Sequence, residues 1–220
     1  MKTTQESVAD ADERRFRGRP QARPDEETRA IIFDAARHQF AVSGYAATSM
    51  EMVARRAGVS TKTLYRLIPT KAALFEGTVT ARIDSFVSVV NLRTCEHQDI
   101  EVALQTALLV CADLVLHDEV IALYRMMLAE SDKFPNISET FYQKAMRRTI
   151  AALAEWLRVR QQRGLIRLDN VDEAAGMLFG MMVFEPQRAA LFGHQPLPSR
   201  ETIEARARSC AALFLRGCGA

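Results

Sequence analysis

The sequence predicts an all-α protein. A small N-terminal helix-turn-helix unit comes first and a larger helical body follows, about nine helices in all. Three observations predict this. Apolar residues recur at spacings of three and four along most of the chain, the period of a helix face. No stretch sustains the apolar–polar alternation of a half-buried strand, and β-branched residues do not cluster. Ser, Thr and Asp stand where periodic runs begin and glycine stands where several end, which is how helices are punctuated. Composition agrees: of 220 residues, 48% are apolar and 25% charged, enough for a sizeable core. The longest apolar run, 102–116, is broken by Gln105 and Asp113. It is also shorter than the ~20 residues a membrane span needs. The start of the chain carries acids and arginines in place of an apolar leader, so a cytoplasmic location is expected.

Residues 1–24 lack apolar periodicity and read as a disordered arm containing Arg14, Arg15, Arg17, Arg19 and Arg23. A first helix is predicted over 25–43. Asp25, Glu26 and Glu27 suit the positive end of its dipole, Ile32, Ala36 and Phe40 form its inner face, and Gly44 ends it. Thr48, with Glu51 three residues on, predicts a capping box for a second, short helix that stops at Gly58. Ser60 caps a third helix ending before Pro69, and Thr70 caps a fourth reaching about residue 92. Further helices are predicted over 99–116, 119–131, 138–163, 171–192 and 199–216. In 138–163, Tyr142, Met146, Ile150, Leu153 and Leu157 repeat at three and four before Gly164. The 171–192 segment is apolar almost all round, so it must be covered on every side. Pro186 within it predicts a kink or interruption.

Charge is unevenly placed. Residues 13–75 hold twelve Lys and Arg against six acids, a net of +6, whereas 1–12 and 76–220 each carry −2. A basic N-terminal unit ahead of an acidic body points to a polyanion partner. Cys95, Cys111, Cys210 and Cys218 show no CxxC spacing and do not cluster with His38, His97, His117 or His194. No metal site and no cofactor are expected, and the cysteines read as reduced thiols.

The most informative segment is 50–67, MEMVARRAGVSTKTLYRL. Two short helices flank Gly58, which can take the positive φ of a tight corner. Ala54 lets the helices approach closely. Val53, Ala57, Val59, Leu64 and Leu67 should face inward. Thr61, Lys62, Thr63, Tyr65 and Arg66 remain outside, a surface of donors and cations with no acid among them, suited to phosphates and base edges.

Residues 28–75 resemble the DNA-binding domain of TetR-type (tetracycline-repressor-like) transcriptional regulators. The matching motifs are Phe40-Ala41 with Gly44-Tyr45, Thr48-Ser49, Ala57 to Ser60, Leu64-Tyr65, and Pro69 with Lys71 and Leu74. Leu67-Ile68 and Thr70 depart from the usual pattern. The resemblance implies a helix-turn-helix over 49–68 within a domain spanning 25–75. Thr48, Ser49, Tyr65 and Lys71 would contact phosphate. Thr61, Lys62, Thr63 and Arg66 would sit in or beside the major groove, with Lys62 and Arg66 reading guanine. The arginine arm would either enter a minor groove or act as a mobile tail adding non-specific attraction.

The same resemblance makes 76–220 an effector-binding and dimerisation domain. LYRMMLAESDKFP, the 147–156 stretch and the closing LFLRG are similar to one subgroup of regulator C-terminal domains. Homodimers would form through the last two helices, using Gly176, Gly180 and Met181 with the stripe Ile203, Ala207, Cys210 and Phe214. Phe86, Leu108, Cys111, Met127, Trp156 and Phe179 would line a pocket for a small apolar or amphipathic effector. The function implied is a repressor that binds a palindromic operator as a dimer and is released by its effector. Two other readings stay open at the level of residues. A non-specific chromosome-associated protein would use the arm and the basic unit alone. An all-α enzyme is opposed by the lack of HExxH, GxSxG, DDxxD or a Gly-rich phosphate loop.

Overall fold

The computed structural model describes residues 23–93 and 99–218. Most of the arm, with Arg14, Arg15, Arg17 and Arg19, lies outside the described residues, as does Cys95. Among the described residues there are helices and no strand: α1 (Asp25–Ala47), α2 (Met50–Ala57), α3 (Thr61–Leu67), α4 (Lys71–Arg93), α5 (Ile100–Val115), α6 (Asp118–Glu130), α7 (Pro135–Phe141), α8 (Arg148–Gln162), α9 (Val171–Leu191) and α10 (Arg200–Cys218). A π-helical segment, Tyr142–Arg147, joins α7 to α8 as one rod. No single helix among them is long and apolar enough to cross a membrane.

Gly44 breaks α1 where predicted, at φ +79°, but one further turn carries the helix to Ala47. Ser60 and Thr70 cap α3 and α4, accepting from the Thr63 and Ala73 amides at 3.0 Å each. The cap of α2 is different from the prediction. Ser49, not Thr48, accepts from the Met52 amide. The Thr48 hydroxyl donates backwards to the Gly44 carbonyl at 2.7 Å, in the last turn of the helix.

The 138–163 prediction merges what the structure divides. Pro135 starts the rod, and the π-segment shifts the helix phase by its wider turn. Tyr142 is therefore turned outward and Met146 sits at the rim of a cavity, while Leu153 and Leu157 remain buried. The kink or break predicted at Pro186 also fails in its stronger form, because α9 continues through it. Arg206 of α10 donates to the Met181 carbonyl at 3.1 Å, in the turn that the proline disturbs.

Two apolar clusters hold the chain together. One unites α1–α3 and the start of α4 with Leu123, Met126 and Met127 of α6 and with α7. The other unites the rest of α4 with α5, α8, α9 and α10. The predicted interface stripe is consumed by this second cluster. Ile203, Ala207 and Cys210 are buried inside the protomer and Phe214 packs against it, so none of the first three can be offered to a second copy. The apolar side chains left outside on the last two helices are instead Met177, Met181, Phe184 and Leu213.

Candidate nucleic-acid interface and ligand cavity

The corner at Gly58 is built from backbone bonds. Gly58 takes φ +66°, ψ 30° and its amide turns back on the end of α2. The Val59 amide reaches the Ala54 carbonyl at 3.0 Å. Val53, Ala54, Ala57, Leu64 and Leu67 are buried against Ile32, Ala36 and Phe40 of α1. Arg29 of α1 donates to the Leu67 carbonyl at 2.7 Å and so ties down the far end of α3. With its inner face held this way, α3 presents Thr61, Lys62, Tyr65 and Arg66 to solvent and leaves Thr63 half-buried.

The outer face is less free of acid than the helix sequence suggests. Tyr65 donates to Glu51 Oε1 at 3.3 Å. Arg66 makes two bonds to the Asp25 carboxylate, at 2.7 and 2.8 Å. The Arg66 hydrogen bond holds the Asp25 carboxyl below its usual range, and Asp25 in turn raises Arg66. Both acids come from other helices, brought beside α3 by tertiary packing.

Two predicted phosphate contacts are committed elsewhere. Thr48 is buried and its hydroxyl is taken by Gly44. Lys71 is half-buried, and its ammonium donates to the carbonyls of Tyr45 (2.9 Å), Ala46 (3.2 Å) and Thr48 (3.0 Å). It also stands 4.5 Å over the Tyr45 ring. An ammonium has three donors, so Lys71 is a staple on the end of α1 and has no donor to spare for phosphate. The Ala46 amide is likewise taken, by Glu130 Oε2 from the end of α6 at 3.0 Å. Glu130, far away in sequence, carries no local signal that could have announced it.

A cavity of ≈ 330 Å³ opens between α1, α4, the end of α5, α6, the rod and α9. Ile83, Leu114, Leu123, Phe141, Ile150, Phe179, Val183 and Phe184 make its walls apolar. Arg37, Thr78, Arg82, Tyr124, Thr149 and Gln187 interrupt them with polar groups. Gly176 and Gly180, expected at a helix–helix interface, lie on this wall, and a Cβ at either would project into open space. Of the six expected lining residues only Phe179 is on it. Leu108, Cys111 and Trp156 are core between α5, α8 and α9. Met127 is core in the cluster that carries α1, α2 and α3. Phe86 lines a neighbouring cleft on the other side of Arg82. Burial pushes the Cys111 thiol up to about 12, so it stays protonated and unreactive at neutral pH.

The signal for the true wall was in the sequence, though weak. Thr78 and Arg82 are one turn apart on α4. Gly176, Gly180, Val183, Phe184 and Gln187 fall on one face of α9. Glycines and an amide on an otherwise apolar helix face mark a side with no neighbour packed against it.

No curated protein sequence matches the chain. Solved structures do. One from Mesorhizobium loti, described as a TetR-family transcriptional regulator, is 28% identical with a TM-score of 0.77, covering 90% of this chain and 100% of that one. The flavonoid-responsive regulator FrrA is 27% identical with a TM-score of 0.65, covering 88% of this chain and 98% of its own. A TetR regulator from Agrobacterium tumefaciens shares the fold at 18% identity and a TM-score of 0.70, covering 90% of this chain and 96% of that one. Residues 32–78 match the tetR family of bacterial regulatory proteins. Residues 102–219, more than half the chain, match the C-terminal domain of AefR-like transcriptional repressors. The chain belongs to the TetR family of transcriptional regulators.

Proposed function

We propose that this regulator is a sequence-specific repressor that binds a palindromic operator as a homodimer in the cytoplasm and is released by a small amphipathic effector. The observation that carries this reading is the presentation of α3. Its inner face is buried, its ends are tied by Ser60 and Arg29, and Thr61, Lys62, Tyr65 and Arg66 stand outward. Ser49 and Thr63 flank that surface. A unit over 25–75 reads DNA, and 76–220 binds effector and partner, with α6 and α7 packed into the core of the first unit. Met177, Met181, Phe184 and Leu213 leave an apolar face on α9 and α10 for a twofold mate. Two copies would place their α3 helices about one DNA turn apart, ~34 Å. The cavity, walled partly by Tyr124, Phe141, Phe179 and Phe184, suits an apolar body, and the flavonoid response of FrrA supports a ligand of that kind. Arg37 of α1 lines the cavity and pairs with Glu119 of α6 at 2.7 Å, so a ligand there touches the DNA-reading unit directly. A coupling of ~1–3 kcal/mol would lower operator affinity about 5–150-fold.

Selection of bound fragments from random duplex DNA tests this. A palindromic consensus is expected, and recovery of unrelated fragments would refute specific recognition. Lys62→Ala should relax the preference at one base pair per half-site, costing about 1–3 kcal/mol there. Unchanged selectivity would remove Lys62 from the reading surface. Asp25→Asn should tighten binding to any duplex about 2- to 5-fold at low salt, because it frees Arg66 and removes a carboxylate beside the phosphates. Anisotropy titration measures this, and an unchanged or weaker Kd would show that the Asp25 pair does not compete with DNA.

A further inference from the structure

Two buried nitrogens on the walls of the cavity lack a well-formed hydrogen bond, and their kind is informative. Arg82 projects from α4, with Nη2 donating to the Leu114 carbonyl at 3.0 Å. Its Nε is buried and makes no hydrogen bond. Among the described residues Arg82 has no carboxylate at ion-pair distance; Glu119, which acts on it through space, is bonded to Arg37, which Asp34 also pairs. Gln187 of α9 lines the same cavity. Its Nε2 is buried too, and its one neighbour there is Tyr124, with which it makes at most a poorly aligned hydrogen bond. Both atoms are donors.

A guanidinium drawn largely out of water, with a carboxylate that it shares with a second arginine, is costly to hold. Burial and the like charge of Arg37 pull the Arg82 pKa down from its usual value, and Glu119 offsets this only in part. An apolar ligand would fill the void but would leave both donors unsatisfied. A cationic ligand would face Arg82 and be repelled. An anion on an apolar body satisfies the walls and the donors together.

We propose that the effector is an amphipathic acid whose anionic head binds Arg82, with Gln187 donating to a second acceptor on its body. This rests on the cavity being the effector site. Because Arg82 sits on α4, the helix that begins at the DNA-reading unit, the head group engages the element that joins the two halves of the chain.

The test is calorimetric, on the full chain, with soluble probes of two shapes. Octanoate is compared with 1-octanol, and 2-naphthoate with 2-naphthalenemethanol. Wild type, Arg82→Gln and Gly180→Val are measured, each checked for fold by circular dichroism. At least one acid is expected to bind about 10- to 100-fold more tightly than its alcohol. Arg82→Gln should abolish that preference while leaving the alcohol unchanged, and Gly180→Val, which narrows the cavity, should weaken acid and alcohol alike. Equal binding of acid and alcohol by wild type would overturn the acid proposal and, if Gly180→Val still weakens both, leave the cavity as the effector site. Binding untouched by Gly180→Val, or no binding by any probe, would overturn the effector-site reading and the proposal with it. The wild-type ratio of acid to alcohol decides the matter even if Arg82→Gln does not fold.

Discussion

Phe40→Ala is expected to destabilise the DNA-reading unit by about 3–5 kcal/mol, the usual cost of emptying a fully buried aromatic site. Phe40 has no exposure. Its ring stacks on Tyr45 at 5.7 Å and meets the edge of Phe75 at 5.4 Å. Tyr45 in turn contacts Phe75 and Phe134. The left-handed turn at Gly44 is what swings Tyr45 back over this group. Loss of the central ring opens a cavity where α1, α4 and the loop before α7 converge, and α3 loses the floor it rests on. Urea unfolding followed by circular dichroism measures the change. A loss below about 1 kcal/mol would mean that the neighbours collapse into the space and that the aromatic group is not the foundation of the unit.

Lys71→Ala is expected to lower stability by about 2–3 kcal/mol, since charge-assisted bonds to three carbonyls are lost and those carbonyls sit in a partly buried corner. Family resemblance assigns Lys71 to phosphate, and the two assignments part company in salt dependence. As a staple, its removal should lower the melting temperature and leave the salt slope of DNA binding by folded protein unchanged. If Lys71→Ala instead melts like the parent and reduces the slope by about one, the ammonium belongs to DNA. Gly44 shares this corner, because any Cβ there would stand 2.7 Å from Glu130 Oε1 and the residue would also hold a positive φ. The end of α1 is therefore fastened from α4 by Lys71 and from α6 by Glu130, a direct mechanical link between the DNA-reading unit and the helices around the cavity.

Those two residues show where legibility ends. Helix identity, the breaks at Gly44, Gly58 and Gly164, the caps at Ser60 and Thr70, and the inward set of the corner are set by residues within a few positions of one another. Periodicity and φ preference report such relations directly. The all-helical class and the outward face of α3 follow from them. Pairings across the fold leave no such trace. Asp25 against Arg66, Glu51 against Tyr65 and Glu130 against Ala46 join residues 14 to 84 positions apart. Nothing in a helix pattern says which neighbour a surface charge will meet. The cavity was misplaced for the same reason. An apolar side chain looks alike in sequence whether it faces another helix or a void, so Leu108, Cys111 and Trp156 could not be told from Val183 and Ile150. The stripe on α10 failed likewise, since a period of three and four shows that a face is buried without showing by what. On its own, then, the sequence determined the helices, their corners and the helix-turn-helix motif, because local backbone energetics decide these. The tertiary structure alone decided which cations are spent inside, where the empty volume lies and which apolar face stays exposed, because packing assigns partners only when distant segments meet.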